Sequence, residues 1–227
     1  MTSKPLPFLL NGLTPELENK AFLELGETPK VKNDALEEMK RLIKENSNFE
    51  PFMEDIFLLS FLRWKKYRIN EAFEALHDFY TLKKKHSRIY FDFTPSELTH
   101  VLKMNHLATQ PLRGPGGCNV GILRLGYHDF KIGTFDELIA TVLCMGLATN
   151  DIEAYLVSGA IIILDCKNVP LEILKTTLNP YRVYFIVEVM RCFPGRIRSI
   201  HVVNIPYFFD IFYNMVKSLL PKKILKR

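Results

Sequence analysis

The chain is poor in the features that announce covalent stapling, membrane spanning or a reactive centre. Of its 227 residues only four are cysteine, Cys118, Cys144, Cys166 and Cys192, and no two of them form a CxxC pair. Such scattered cysteines are expected to be free thiols in a core. The most apolar stretch, Tyr155 to Leu164, falls well short of the roughly 18 residues needed to cross a bilayer, so no transmembrane segment is expected. The opening, Met1 to Leu10, is too short in its apolar part and too interrupted by proline for a secretory signal. A cytoplasmic location is the resulting expectation.

Reactive patterns are missing as well. His77, His86, His100, His106, His128 and His201 show no HxxxH or HExxH spacing, so neither a metal nor another cofactor is expected. Ser158-Gly159 lacks the first glycine of a GxSxG nucleophile elbow. Arg113-Gly114-Pro115-Gly116-Gly117 precedes a strand, contains a proline and is followed by no Lys-Ser or Lys-Thr pair. It reads as a turn, not a phosphate cradle. There is no internal repeat and no low-complexity tract. No acid–base constellation stands out, so the chain is not expected to be an enzyme.

What the chain does have is apolar bulk and an uneven charge. Apolar residues make up 48% of it, which excludes disorder, and 17 are Phe, enough to fill a core or to line a cavity for an apolar ligand. The net charge is +5, yet the segment from Arg191 to the end carries eight basic residues against Asp210 alone. The whole basic excess lies there, which points to an anionic partner.

The first third reads as helical. Thr14-Pro15-Glu16 and Thr28-Pro29 are helix starts, each a capping hydroxyl followed by proline at the first helical position. Ala35, Leu36, Met39, Leu42 and Ile43 recur at helical spacing, Ile56 to Leu62 forms a third helix, and Ile69, Phe73, Leu76 and Tyr80 share a face of a fourth. A boundary is expected near Lys83 to Ser87, which divides the chain into residues 1–85 and 86–227. Beyond it Val120 to Leu125, Ala160 to Asp165 and Ser199 to Asn204 read as strands, with helices over about Phe135 to Ala148 and from Pro180. Strands alternating with helices imply crossover units and a largely parallel sheet, hence an α/β fold. Asp165 and Asn204 end two of the strands and are expected to cap the exits into their loops.

Four segments resemble the CRAL-TRIO (Sec14-like) family, in its tocopherol-transfer and retinaldehyde-binding branch. Asp55 to Tyr67 is similar to the family's "D-x-FLLRFLRARKF" segment, and Phe193 to Pro206 to "YPxRxxxIHxxNxP". Leu25 to Pro29 matches "LGET", and Leu123 to Asp129 matches "xxRxGxxD". The segments stand in the family's order and span about Leu13 to Arg227. The resemblance implies an N-terminal helical domain over residues 1–85 and an α/β lipid-binding domain over residues 86–227. It also implies a further strand and a "PxxYGG" segment after Arg227, so the lipid domain is expected to be incomplete at its C-terminus.

The family's function then gives expectations for this chain. It is expected to bind a small hydrophobic ligand, a tocopherol, a retinoid or similar, and to transfer it at phosphoinositide-containing membranes as a peripheral monomer. The alternatives are exchange of phosphatidylinositol or another phospholipid, and a phosphoinositide-docking module with no working pocket. Ligand contacts are expected from Leu138, Thr141, Val142 and Met145 on one helix, from Ile161 and Ile163, from Val189 and Phe193, and from Ile200 and Val202. The apolar helix after Pro206, with Phe212 and Met215, corresponds to the family's mobile gate. Lys65, Arg196, Arg198, Lys223 and Arg227 correspond to residues that hold a phosphoinositide headgroup, for which arginine forks and lysine charges are suited. The basic segment is interleaved with the gate-like helix and fits no nucleic-acid motif, so nucleic acid is not expected as a partner.

Overall fold

The two Thr-Pro pairs open the first two helices, α1 (Pro15–Leu25) and α2 (Pro29–Glu45). Leu17 N donates to the Thr14 hydroxyl at 3.4 Å and Val31 N to the Thr28 hydroxyl at 3.1 Å, which satisfies one free N–H in each first turn. Gly26 closes α1 at φ 71°, a left-handed conformation that costs glycine nothing. The structure, a computed structural model, describes residues 6–171, 176, 179–207 and 209–217, apart from the side chains of Arg88, Ile211, Phe212, Met215 and Val216.

α3 (Asp55–Trp64) and α4 (Ile69–Lys85) complete the helical region. Their apolar faces meet in a core in which Met39, Leu58, Phe61, Leu62, Ala72 and Leu76 are fully buried. Phe61 packs edge-on against Phe57 and Phe79, with ring centroids 5.4 and 5.8 Å apart, the geometry that aligns ring edges with ring faces. The aromatic bulk of this region therefore fills a core.

A π-helical turn at Ser87–Phe91 and the short α5 (Thr99–Leu102) lead into the sheet. Its strands are β1 (Leu107–Thr109), β2 (Asn119–Arg124), β3 (Ala160–Asp165) and β4 (Ile197–Val203), in the order β1-β2-β3-β4. β1 pairs antiparallel with β2, while β2-β3 and β3-β4 are parallel. The expected largely parallel α/β sheet is present. Between β2 and β3 run α6 (Phe135–Thr149), opened by a capping box of Thr134 and Glu137, and α7 (Glu153–Ser158). α8 (Pro180–Cys192), with Asn179 Oδ1 accepting from Tyr181 N at 2.9 Å, runs between β3 and β4, and α9 (Phe209–Val216) follows the sheet. β1 and α7 escaped the sequence reading: one is three residues long, and the other lies inside a run that continues into β3.

The helical region and the sheet region share a core. Leu143 of α6 with Phe185 and Cys192 of α8 belong to the same buried cluster as α2, α3 and α4. Tyr90 stacks on Phe185 at 3.9 Å, and its hydroxyl donates to Asp136 Oδ1 at 2.9 Å. Arg182 grips the same carboxylate through Nε at 2.9 Å and Nη2 at 2.8 Å and holds it well below the usual carboxylate range. The cysteines are free; Cys118, Cys166 and Cys192 are buried and Cys144 is half-buried. Burial pushes the Cys192 thiol up to about 12. Among the described residues no helix is long and apolar enough to cross a membrane.

Candidate functional site

A cavity of about 630 Å³ lies between one face of the sheet and α6 and α8. A ligand pocket of this kind is expected to run from roughly 300 to 1,000 Å³ and to be mostly apolar. The sheet contributes Leu107 and Thr109 of β1, Gly121 and Leu123 of β2, Ile162 of β3, and Ile197 and Ile200 of β4. Val142, Met145, Gly146 and Thr149 recur at helical spacing along α6, and Val189, Met190 and Phe193 close the side formed by α8. Glycine at two of these positions shapes the space. Gly121 leaves room above the sheet, and at Gly146 a Cβ would stand 2.9 Å from the tip of the Phe193 ring, so a larger residue there would push that ring aside.

Polar groups join this lining from several elements. Asn119 and Tyr155 reach the cavity near the N-terminal ends of the parallel strands. Trp64, Lys65, Arg68, Glu71 and Arg191 also line it, from the end of α3, the start of α4 and α8. Lys65 Nζ lies 4.1 Å over the Trp64 ring, and Arg68 pairs with Glu71 at 3.0 Å. Three cations against one carboxylate make this rim positive. The apolar lining is incompletely covered: Val142 and Met145 are 37% and 40% exposed although they sit mid-helix between sheet and solvent.

The register explains which of the expected ligand residues reach the cavity. Val142, Met145, Val189, Phe193 and Ile200 do. Ile161 and Ile163 do not: β3 turns Ala160 and Ile162 to the cavity, and residues of the other parity face away. Because β3 is apolar on both faces, nothing in its sequence fixed that parity. Leu138 and Thr141 continue the α6 stripe one turn earlier, where they are buried outside the lining, and the Thr141 hydroxyl donates back to Glu137 O at 2.7 Å. Val202 shares the face of Ile200, opposite Leu164, but also lies outside the lining. Phe212 and Met215 belong to α9, but their side chains lie outside the described residues. Ile197 was missed for a different reason. The register shifts between Ala160 and Ile161, pairing them with Ile197 and Ser199, so Arg198 is an extra residue in a β-bulge. Ile197 and Ile200 therefore share a face although three positions apart.

The residues expected to hold a headgroup separate. Arg196 and Arg198 come together on Glu24 of α1: Arg196 Nη2 donates to Glu24 Oε2 at 2.8 Å, and Arg198 Nη2 donates to the same oxygen. Partial burial works against the Glu24 charge, but the two arginines outweigh it and hold the carboxyl below its usual range. Lys65 stands at the cavity rim instead. Lys223 and Arg227 lie outside the described residues.

Two of the recognised segments meet in a buried ion pair that the sequence reading did not foresee. Arg63, fully buried, donates through Nε to Glu27 Oε2 at 2.8 Å and through Nη2 to Glu27 Oε1 at 2.7 Å, and reaches Glu153 of α7 at 3.1 Å. Desolvation opposes the Arg63 charge, yet the Glu27 bonds prevail and its pKa is raised. The pair ties the α1–α2 junction to α3 and, through Glu153, to the sheet region. The turn reading of Arg113 to Gly117 agrees with the structure: Pro115–Gly117 is a single 3-10 turn, and the Arg113 side chain is spent on the carbonyls of Pro7, Phe8 and Gly117. Asp165 Oδ1 accepts from Lys167 N at 2.9 Å, which caps the exit of β3 as expected, and Asn204 Nδ2 donates to the same oxygen at 2.7 Å. Gly126 is required because a Cβ there would lie 2.0 Å from Lys167 O.

Comparison with known proteins agrees with this architecture. The CRAL/TRIO domain model matches residues 103–227. Human alpha-tocopherol transfer protein-like is 27% identical over 226 residues, which cover 97% of this chain and 65% of that protein. The mouse protein of the same name is 26% identical over the same span. Human Clavesin-2 is 24% identical over 220 residues, covering 95% of this chain and 67% of its own length. The chain thus spans about two thirds of the length of these relatives. With the family model matching more than half of its residues and a mostly parallel sheet closed by helices around an apolar cavity, the chain belongs to the CRAL/TRIO domain family.

Proposed function

We propose that the chain binds one small hydrophobic molecule in the cavity and delivers it at phosphoinositide-containing membranes, without catalysing a reaction. The observation that carries this is the cavity of about 630 Å³, whose apolar walls leave Val142 and Met145 exposed. Apolar surface held open to water costs roughly 25 cal/mol per Å², a cost that an apolar ligand removes. Val142, Met145, Ile162, Val189, Phe193 and Ile200 contact that ligand, and Asn119 and Tyr155 receive its single hydroxyl or carbonyl. A tocopherol, a retinoid or a comparable alcohol or aldehyde has that chemistry, and the names of the relatives favour the first.

Residues 86–227 form the binding domain and residues 1–85 its helical support. α9, as a gate, covers the ligand in water and lays its apolar face on the bilayer. Arg196 and Arg198, with Lys65, Lys223 and Arg227, bring the protein to phosphorylated inositol lipids as a monomeric peripheral protein of the cytoplasm. Native mass spectrometry of the purified protein tests the reading: one bound hydrophobic molecule per chain is expected. A chain that arrives empty and takes up nothing from a lipid extract ends it. Phosphatidylinositol in the cavity turns the reading into phospholipid exchange.

A further inference from the structure

Arg196 and Arg198 are held on two sides. On one, Arg196 Nη1 donates to Val157 O, and Arg198 Nε donates to Ser158 O at 2.7 Å, so both forks are anchored on the last carbonyls of α7. On the other, both Nη2 atoms donate to one oxygen of Glu24. Lys20, one turn earlier in α1, lies 3.9 Å from the second Glu24 oxygen and donates to Gly116 O. Three cations, Lys20 of α1, Arg196 just before β4 and Arg198 within it, thus converge on a single carboxylate. The place is open to water, with the Glu24 and Arg198 side chains 32% and 30% exposed.

We infer that Glu24 is the specificity-determining residue of this headgroup site: it stands where a phosphate oxygen would, and only a phosphomonoester displaces it. The inference rests on the phosphoinositide reading above and adds to it a rule of selection. A phosphodiester, as in phosphatidylserine or unphosphorylated phosphatidylinositol, brings one phosphate charge, no more than the carboxylate already in place. Glu24 is also tethered, and a tethered group competes at an effective concentration of roughly millimolar or above. A phosphomonoester carries about −1.5 to −2 and three strong acceptor oxygens, so it outbids a carboxylate on the same two N–H groups. When it does, the arginine forks need not move, because the α7 carbonyls keep them aimed. Glu24 then swings toward solvent.

The test is vesicle binding by the full chain, with vesicles of phosphatidylcholine alone, with phosphatidylserine added, and with a phosphatidylinositol bisphosphate added. Wild type should ignore the first two and bind the third. Glu24→Gln should bind phosphatidylserine vesicles about tenfold tighter than wild type and gain less on the bisphosphate, so that its discrimination narrows about tenfold, a difference of about 1.4 kcal/mol. Glu37→Gln, on the exposed side of α2, changes the net charge equally and should leave discrimination unchanged. Glu24→Asp, which keeps the charge but shortens the reach, should fall between wild type and Glu24→Gln, and it provides a second folded variant if the glutamine variant melts early. Soluble inositol trisphosphate should release the wild type from bisphosphate vesicles.

The inference is overturned if Glu24→Gln discriminates as sharply as wild type, or if Glu37→Gln narrows discrimination as much. Those outcomes leave the membrane reading intact, since the wild type still binds. Failure of wild type and Glu24→Gln alike to bind any anionic vesicle overturns both. So does wild-type binding to soluble inositol trisphosphate without binding to any vesicle, which assigns the arginines to a free inositol phosphate.

Discussion

The helical region and the sheet region both bury large apolar side chains, yet one is filled and the other encloses a cavity. In α2, α3 and α4 every large apolar side chain of the shared face meets another, and Phe61, Leu62 and Leu76 see no solvent. Along α6 the same kind of residue, Val142 or Met145, stands over an empty space with more than a third of its surface exposed. The difference is geometric. Helices that cross side by side interdigitate their ridges and leave little room. A sheet face with glycine at Gly121, spanned by a helix that touches its neighbour through Gly146, is held away from its cover. An apolar face is therefore evidence of a core only when its partner comes close enough to touch.

Three perturbations test that contrast, the largest first. Arg63→Ala strikes the filled region where it is tied together, leaving Glu27 buried beside no cation. It should cost about 3–5 kcal/mol in urea unfolding, the penalty for orphaning one partner of a buried pair. A loss below about 1 kcal/mol would show that the helical region does not depend on this tie.

The next concerns acid. His106 is fully buried just before β1, and desolvation with the nearby His128 lowers its pKa to about 4. His128 is lowered by burial in the same way. The unfolded chain binds these protons near the ordinary histidine value of about 6.5, so it takes up more protons than the folded chain between the two. Stability present above pH 6.5 is thus lost as the pH falls toward 4, by roughly 3 kcal/mol for His106 alone. Urea unfolding at a series of pH values should show this slope, and His106→Leu should flatten it between pH 6.5 and 5. An unchanged slope in that variant would assign the acid sensitivity to groups other than His106.

The smallest effect on stability is expected inside the hollow. At Gly121 a new Cβ would meet Ile162 Cδ1 at an ordinary 3.5 Å, so Gly121→Leu sends its side chain into free space. Folding stability should change by less than about 1 kcal/mol, while affinity for a hydrophobic ligand drops at least about tenfold, read by fluorescence titration. A destabilisation of several kcal/mol would show the space to be packed.

Much of the architecture was legible along the chain, because it depends on neighbours in sequence. Thr14-Pro15, Thr28-Pro29 and Asn179-Pro180 each start a helix where they stand, since a cap acts within one turn. Ala160 to Asp165 reads as a strand from its β-branched run, and alternation of strands and helices already implies parallel pairing. The site was legible only in part. Helical spacing puts Val142 and Met145 on one face, and the family resemblance gives that face, with Val189 and Phe193, to a pocket, but Ile162 could not be preferred to Ile161 in a strand apolar on both sides. Ile197 was out of reach, because the bulge at Arg198 breaks the alternation on which such a reading depends.

The pairings across long separations divide the molecule in the same way. Sequence alone marked Glu27 and Arg63 as parts of two familiar segments and Arg196 and Arg198 as a basic pair. That Glu27 neutralises Arg63, and that Glu24, 172 residues from Arg196, occupies both arginines, was decided only when α1 came to rest against α7 and the start of β4. Capping, periodicity and turn chemistry act over a few residues and are written locally. Strand parity, the volume left between layers and the partner of a charge depend on distances set by the packing of the whole chain.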